Sequence, residues 1–268
     1  MKLKTNTLNI PSGFGSASGT IFHKQIFFID FDDKLPYSFW EITYSPSMGT
    51  DSGKLEKNLL KYMASMHTSD PIIINHISWR NFLISKSNVI KKKIRLSGIE
   101  FDLTKQTTFI PKVDFLRIKA YKNVPKWIFS LVTMPQILII DYNNSSDLSN
   151  LSKDLAQIQS TFPDIKVYLE QPFESFENCR NRPEFEKCHL IFDSYNYINK
   201  IKNNYIDKGD IFNFKIGRNT VKEYEYLIKN NYNIIFGNVT SSKIGQEICN
   251  KLSDRFANVE LNCIEIKN

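Results

Sequence analysis

Cysteine is scarce in this chain. The four present, Cys179, Cys188, Cys249 and Cys263, stand at no metal-type spacing and are too few to staple 268 residues. Neither a zinc module nor a disulfide scaffold is expected from them. Long apolar runs are missing as well: no stretch approaches the ~18 residues of a membrane span. The opening MKLKTNTLNI lacks the apolar core of a secretion signal. Together these absences imply a reducing, cytoplasmic setting and no membrane partner. Histidine is rare too, and His23, His67, His76 and His189 do not cluster, so they read as surface or core residues. The Gly-rich segment PSGFGSASGT (11–20) lacks G-K-[ST] and does not join a strand to a helix, so it is no phosphate loop.

The formal charge of +7 raises the question of nucleic acid. Its one dense cluster is KKKIR (91–95), with the remaining lysines scattered among Asn, Ser and Glu. No aromatic and basic platform accompanies it, so no nucleic-acid partner is expected. A solvated surface accounts for most of the excess, and an anionic small substrate for some of the rest.

What the chain does have is order in its apolar runs. Residues 1–98 combine strand-like runs (IFFIDFDD and FWEITY) with two helical patterns, 54–66 and 75–85. This is a small α+β unit. From about residue 107 the pattern becomes strand, helix, strand, helix. Eight candidate strands follow: 107–110, 114–120, 136–142, 166–170, 189–193, 211–217, 233–238 and 259–263. They are continuously apolar, as suits parallel strands covered on both faces. Between them, Leu148, Leu151, Leu155, Ile158 and Phe162 recur at helical spacing, with Asp147 and Asp154 expected on the wet face. Eight strands with intervening helices imply an α/β fold of the (β/α)8 barrel type over residues 99–268, with an open doubly wound sheet as competitor.

Three consecutive runs end in an acid: Asp141, Glu170 and Asp193. In neighbouring parallel strands these carboxylates converge on one rim and form an all-oxygen site for a hard cation, which suggests metal-assisted chemistry. Lys119 and Lys215 end the flanking runs in the same way.

These motifs resemble the enolase superfamily. D-x-N (Asp141, Asn143), E-Q-P (Glu170, Gln171, Pro172) and Asp193 are similar to its metal-binding series. Arg117-Ile118-Lys119 resembles K-x-K, and Asn213-Phe214-Lys215-Ile216-Gly217-Arg218 resembles N-x-K-I-G-R. FGNVTSSKIG (236–245), with Ser241 and Ser242, is similar to the seventh-strand segment, and FWEITYSPSMG (39–49) to a stretch of the capping domain. Lysines on strands 2 and 6 mark the muconate lactonizing enzyme subgroup, and the o-succinylbenzoate synthases are the most similar members.

The resemblance implies a modified (β/α)7β barrel (99–268) with an N-terminal α+β capping domain (1–98) whose Gly-rich segment is a lid loop. It implies Lys119 and Lys215 as catalytic residues and Asp141, Glu170 and Asp193 as ligands of Mg2+ or Mn2+. Arg117, Asn143, Asn213, Ser241 and Ser242 would bind or support a small carboxylate substrate. A monomer or homodimer is expected. The implied reaction is a dehydration that makes 2-succinylbenzoate in menaquinone biosynthesis, with racemisation of N-acylamino acids, epimerisation of dipeptides or a decayed, merely binding barrel as alternatives. The chain departs from the pattern at Arg117, at Ser194 and Ser242 (where relatives commonly have Glu), and at Glu260-Leu261-Asn262, where dipeptide epimerases carry Asp-x-Asp.

Overall fold

The computed structural model describes residues 1–16, 19–44, 48–86, 90, 93–101, 107, 109–174, 176, 182–194, 197–202, 206–237 and 241–265. Its contacts divide it into two units. The first comprises Met1–Lys91, Phe214–Asn230 and Phe236–Ala257; the second comprises Lys92–Asn213, Asn231–Ile235 and Asn258–Asn268.

The first unit opens with a three-stranded antiparallel sheet, β1 (Lys2–Ser16), β2 (Gly19–Asp30) and β3 (Phe39–Ile42), in that spatial order. The described residues of the Gly-rich segment expected as a lid loop, 11–16 and 19–20, lie in β1 and β2. Their backbone continues both strands, with Phe14 opposite Ile21 and Ser16 opposite Gly19. Two helices follow, α1 (Ser52–Ser65) and α2 (Pro71–Ser85). Asp70 caps α2 by accepting from the Ile72 and Ile73 N–H groups, with Pro71 in the first turn. That cap starts the helix four residues before the periodicity alone indicates.

The second unit holds a parallel sheet. In chain order its strands are β4 (Ile94–Phe101), β5 (Phe115–Lys119), β6 (Ile137–Asp141), β7 (Lys166–Glu170), β8 (Cys188–Phe192), β9 (Ile211–Phe214), β10 (Asn233–Phe236) and β11 (Val259–Glu265). The spatial order is β10-β9-β8-β7-β6-β5-β4-β11. It forms a nearly closed eight-stranded barrel, as the strand count implied. Among the described residues no ladder joins β10 to β11; instead Asn258 spans the gap. Its Oδ1 accepts from the Ile234 N–H at 2.7 Å, and its Nδ2 donates to the Tyr232 carbonyl at 2.9 Å.

Two expectations change here. The first barrel strand is β4, which begins at Ile94, not the run at 107–110. Asp154, on α3 (Leu148–Thr161), is buried and not on the wet face. Its Oδ2 accepts from the Tyr142 hydroxyl and the Val124 N–H, both at 2.8 Å. Asp147 caps α3 by accepting from the Asn150 N–H. A short α4 (Tyr197–Lys202) precedes β9, while α5 (Val221–Lys229) and α6 (Lys243–Phe256) belong to the first unit. There α2 packs on α5, and both α2 and α6 pack on β3. No helix among the described residues is long and apolar enough to cross a membrane.

Candidate functional site

Strand parity fixes which residues face the barrel interior. Phe115, Ile139, Tyr168, Ile191, Ile211 and Val259 form one buried cluster, with Leu96, Ile137, Ile235 and Leu261 packed against it. Side chains alternate along a strand. Stepping by two from these positions reaches Arg117 and Lys119 on β5, Asp141 on β6, Glu170 on β7, Asp193 after β8 and Asn213 on β9. The strands are parallel, so this polar layer lies at their common C-terminal end. Register sets Lys119 opposite Asp141, and Asp141 opposite Glu170. A continuous apolar run capped by an acid therefore becomes a packed core with a charged rim.

The three carboxylates are buried, at 5% exposure for Asp141, 3% for Glu170 and 8% for Asp193. Burying them demands counter-charge, and Arg117 provides it. Its Nη2 donates to Glu170 Oε2 at 2.8 Å and to Asp141 Oδ2 at 3.2 Å, while Nη1 stands 3.7 Å from Glu100 Oε2. Burial pushes the Asp141 carboxyl above the usual carboxylate range, with the nearby Asp193 charge adding to the rise. Arg117 first, then Lys119, pull it back. Asn143 donates its N–H to Asp141 Oδ1 at 3.2 Å. Its φ of 49° is left-handed, a conformation Asn adopts more readily than most residues. Gln171 Nε2 donates to the Asp193 carbonyl at 2.8 Å and joins two of the strand ends. Asn213 is buried, and its carbonyl lies 2.6 Å from the Tyr197 hydroxyl.

Glu100 was missed in the sequence because its strand was. Only its place two residues after the inward-facing Gly98, in register with Arg117, marks it.

Lys215, Ser241 and Ser242 lie in the first unit. Lys215 directly follows β9 and opens a tight turn. Its N–H donates to Asn219 Oδ1 at 2.9 Å, and its carbonyl accepts from the N–H groups of Arg218 and Asn219. Helix α2 holds that turn. Trp79 Nε1 donates to the Asn219 carbonyl at 2.7 Å, and Asn75 Nδ2 to the Gly217 carbonyl at 3.2 Å. Position 217 must be glycine because a Cβ there would lie 2.7 Å from the Thr43 carbonyl oxygen. The Lys215 charge also acts on Cys249, whose thiol burial pushes up to about 12.

Ser242 is the N-cap of α6, its Oγ accepting from the Ile244 N–H at 3.2 Å. It also meets Glu41 of β3, a buried residue that the sequence motifs did not single out. Glu41 accepts from the Ser242 hydroxyl and N–H and, at 3.1 Å, from the Gly245 N–H. A carboxylate thus reaches Ser242, and there it faces the helix N-terminus. Ser241 is buried, and Gln246 Nε2 donates to its carbonyl at 3.4 Å. Near Glu41, burial lowers the Lys24 ammonium to about 8, against the pull of that carboxylate.

His76 is fully buried, and burial lowers its imidazole to about 4. The Trp40 indole N–H can only donate, and it reaches His76 Nδ1 at 3.1 Å. On the other side of the ring Nε2 meets the Thr43 backbone, 3.0 Å from its N–H nitrogen and 2.8 Å from its carbonyl oxygen.

No protein-family model and no curated protein sequence matches the chain. Solved structures do match. A mandelate racemase/muconate lactonizing protein from Herpetosiphon aurantiacus superposes with a TM-score of 0.66 at 10% identity, over 97% of this chain and 87% of that one. The o-succinylbenzoate synthase from Thermosynechococcus elongatus BP-1, complexed with Mg in its active site, gives 0.62 at 12% identity, over 98% and 92%. The chain shares the fold of these proteins. A dipeptide epimerase from Enterococcus faecalis V583, complexed with Mg and L-Leu-L-Tyr, is a third neighbour at 0.63 and 12%, over 97% and 88%.

The donor set at the strand ends fits a hard divalent cation in its chemistry: three carboxylates and no softer ligand. Among the described residues, however, no three carboxylate, imidazole or thiol groups are gathered as ligands of one ion. Asp141 and Glu170 are turned to Arg117 instead.

Proposed function

We propose that the protein is a metal-dependent lyase of the o-succinylbenzoate synthase type, working in the cytoplasm on a small carboxylate substrate, as a monomer or homodimer. The observation that carries this reading is Lys119, set in register beside Asp141 at the head of three buried strand-end carboxylates. The α+β segment before β4 acts as capping domain and the strands from β4 onward as the catalytic barrel. Asp141, Glu170 and Asp193 would hold Mg2+, or Mn2+ in its place. The ion would supply positive charge to the substrate carboxylate as the neighbouring C–H bond loses its proton.

Lys119 acts as base. Its Nζ takes the α-proton, the electron pair moves into the ring, and the C–O bond to the hydroxyl breaks. Lys119 then returns the proton to the departing oxygen, so that one water and one aromatic product leave. To begin, Lys119 must present an unshared electron pair to that proton. Lys215 steadies the flat intermediate. Asn143 orients Asp141, while Asn213, Ser241 and Ser242 support the substrate.

Epimerisation of dipeptides is the competing reading. Against it stands β11: Leu261 packs on the barrel core, and Glu260 is turned to Arg95 at 2.8 Å and Lys93 at 3.5 Å. Among the described side chains of that strand, no carboxylate faces the interior to hold a substrate amine. The test is loss of diene absorbance when purified protein and Mg2+ meet 2-succinyl-6-hydroxy-2,4-cyclohexadiene-1-carboxylate. Turnover that requires both the metal and Lys119 is expected. Solvent deuterium incorporated into N-acylated amino acids or dipeptides, without turnover of the diene, would transfer the assignment to racemisation or epimerisation.

A further inference from the structure

One guanidinium nitrogen, Arg117 Nη2, contacts both Glu170 Oε2 and Asp141 Oδ2, at 2.8 and 3.2 Å. Those carboxylates belong to the set that the lyase reading assigns to the metal. Resting on that assignment, we propose that Arg117 and a divalent cation compete for Asp141 and Glu170, and that Glu100 receives the guanidinium when the cation enters.

Mg2+ sits about 2.0–2.1 Å from its oxygen ligands and tolerates little distortion. It cannot share these oxygens with a guanidinium that already donates to both without bringing two positive charges together inside a buried site. One of them has to yield. The alternative seat for Arg117 is already beside it. Glu100 is its partner in the β4–β5 register, and Glu100 Oε2 lies 3.7 Å from Nη1, outside hydrogen-bond range but within reach of a side-chain rotation. Both side chains keep 24% exposure, whereas Asp141 and Glu170 keep 7% and 4%. Arg117 can therefore pivot toward the rim, and the deeper carboxylates cannot follow it. Lysine at this position would bring a single nitrogen; arginine adds a second, Nη1, on the Glu100 side while Nη2 meets both deeper carboxylates. Arg117 thereby sets how tightly the site takes a metal, and a substitution there changes binding before any substrate is present.

The experiment is titration of the intact protein with Mn2+ alone, following free Mn2+ by electron paramagnetic resonance, with Mg2+ added as competitor. R117M is expected to bind Mn2+ at least tenfold more tightly than the wild type, with R117K between the two. E100Q should weaken binding about threefold in the wild-type background, because the displaced guanidinium loses its seat. In the R117M background the same E100Q change should alter affinity by less than twofold. Circular dichroism checks that each variant is folded, and if R117M is not, the rank of R117K against wild type decides. Equal or weaker binding by R117M, or an E100Q effect that persists without Arg117, overturns the competition and leaves the metal site standing. An absence of Mn2+ binding in wild type and variants alike overturns both the competition and the lyase assignment.

Discussion

In the first unit, four buried polar side chains face the backbone. His76 holds Thr43, Trp79 holds Asn219, Asn75 holds Gly217, and Glu41 holds the first turn of α6. At the strand ends of the second unit, charged side chains face one another: Arg117 meets Asp141, Glu170 and Glu100. A side chain locked to a backbone group has one partner and one position. A side chain locked to other ionisable groups can exchange partners, and it carries a pKa that its neighbours move. The first arrangement contributes rigidity. The second keeps charge available for chemistry and contributes less to stability than its hydrogen bonds suggest, since ion pairs must offset the loss of hydration.

The contrast is sharpest in Lys119→Ala, where we expect turnover of the diene to fall about a thousandfold. The thermal midpoint should change little, since a half-buried lysine at a rim contributes ~1 kcal/mol or less. A large drop in midpoint would place Lys119 with the structural groups. Trp79→Ala should do the reverse. It empties a site walled by Phe82, Phe214, Tyr224 and Phe236 and strands the Asn219 carbonyl, at a cost of ~4 kcal/mol in denaturant unfolding.

His76 gives a smaller effect that depends on pH. Its folded-state value of about 4 lies below the ordinary 6.5. The unfolded chain therefore binds the extra proton between these values, and the stability contributed by neutral His76 is lost as pH falls below 6.5 toward 4. At about pH 5 the loss amounts to ~2 kcal/mol. His76→Gln should flatten that part of the stability profile between about pH 7 and 5; an unchanged slope would show that other groups set it. Smallest is Asp147→Ala, which removes the α3 cap and should cost ~1 kcal/mol, with activity retained.

Much of the barrel was legible because five consecutive strands, β5 to β9, are short apolar runs bounded by polar residues. A residue ending such a run has to lie at a strand end, which is why the acids and Lys119 could be found by position alone. Strand β4 was not legible. Its sequence IRLSGIEF is exposed over its first residues and carries Ser and Gly, whereas 107–110 holds two β-branched threonines, Phe and Ile but forms no strand among its described residues. Nor was β1, whose run of Lys, Thr and Asn matches a strand with little to bury. Asp154 looked solvated because helical periodicity cannot see a tyrosine hydroxyl arriving from β6. The sequence marked Arg117 as a charge in an unusual place. That its fork bridges two strands depends on register, which no local pattern contains.

The seam at Asn258 gives the barrel a mechanical direction. Seven neighbouring strand pairs form a continuous belt, and the amide of one side chain serves as its buckle. A belt parts at the buckle. Amide protons of β10 and β11 should therefore exchange with solvent sooner than those of β6 and β7, and strain on the ring should be released on the far side from the carboxylates of β6 and β7, leaving their spacing intact while the hoop flexes.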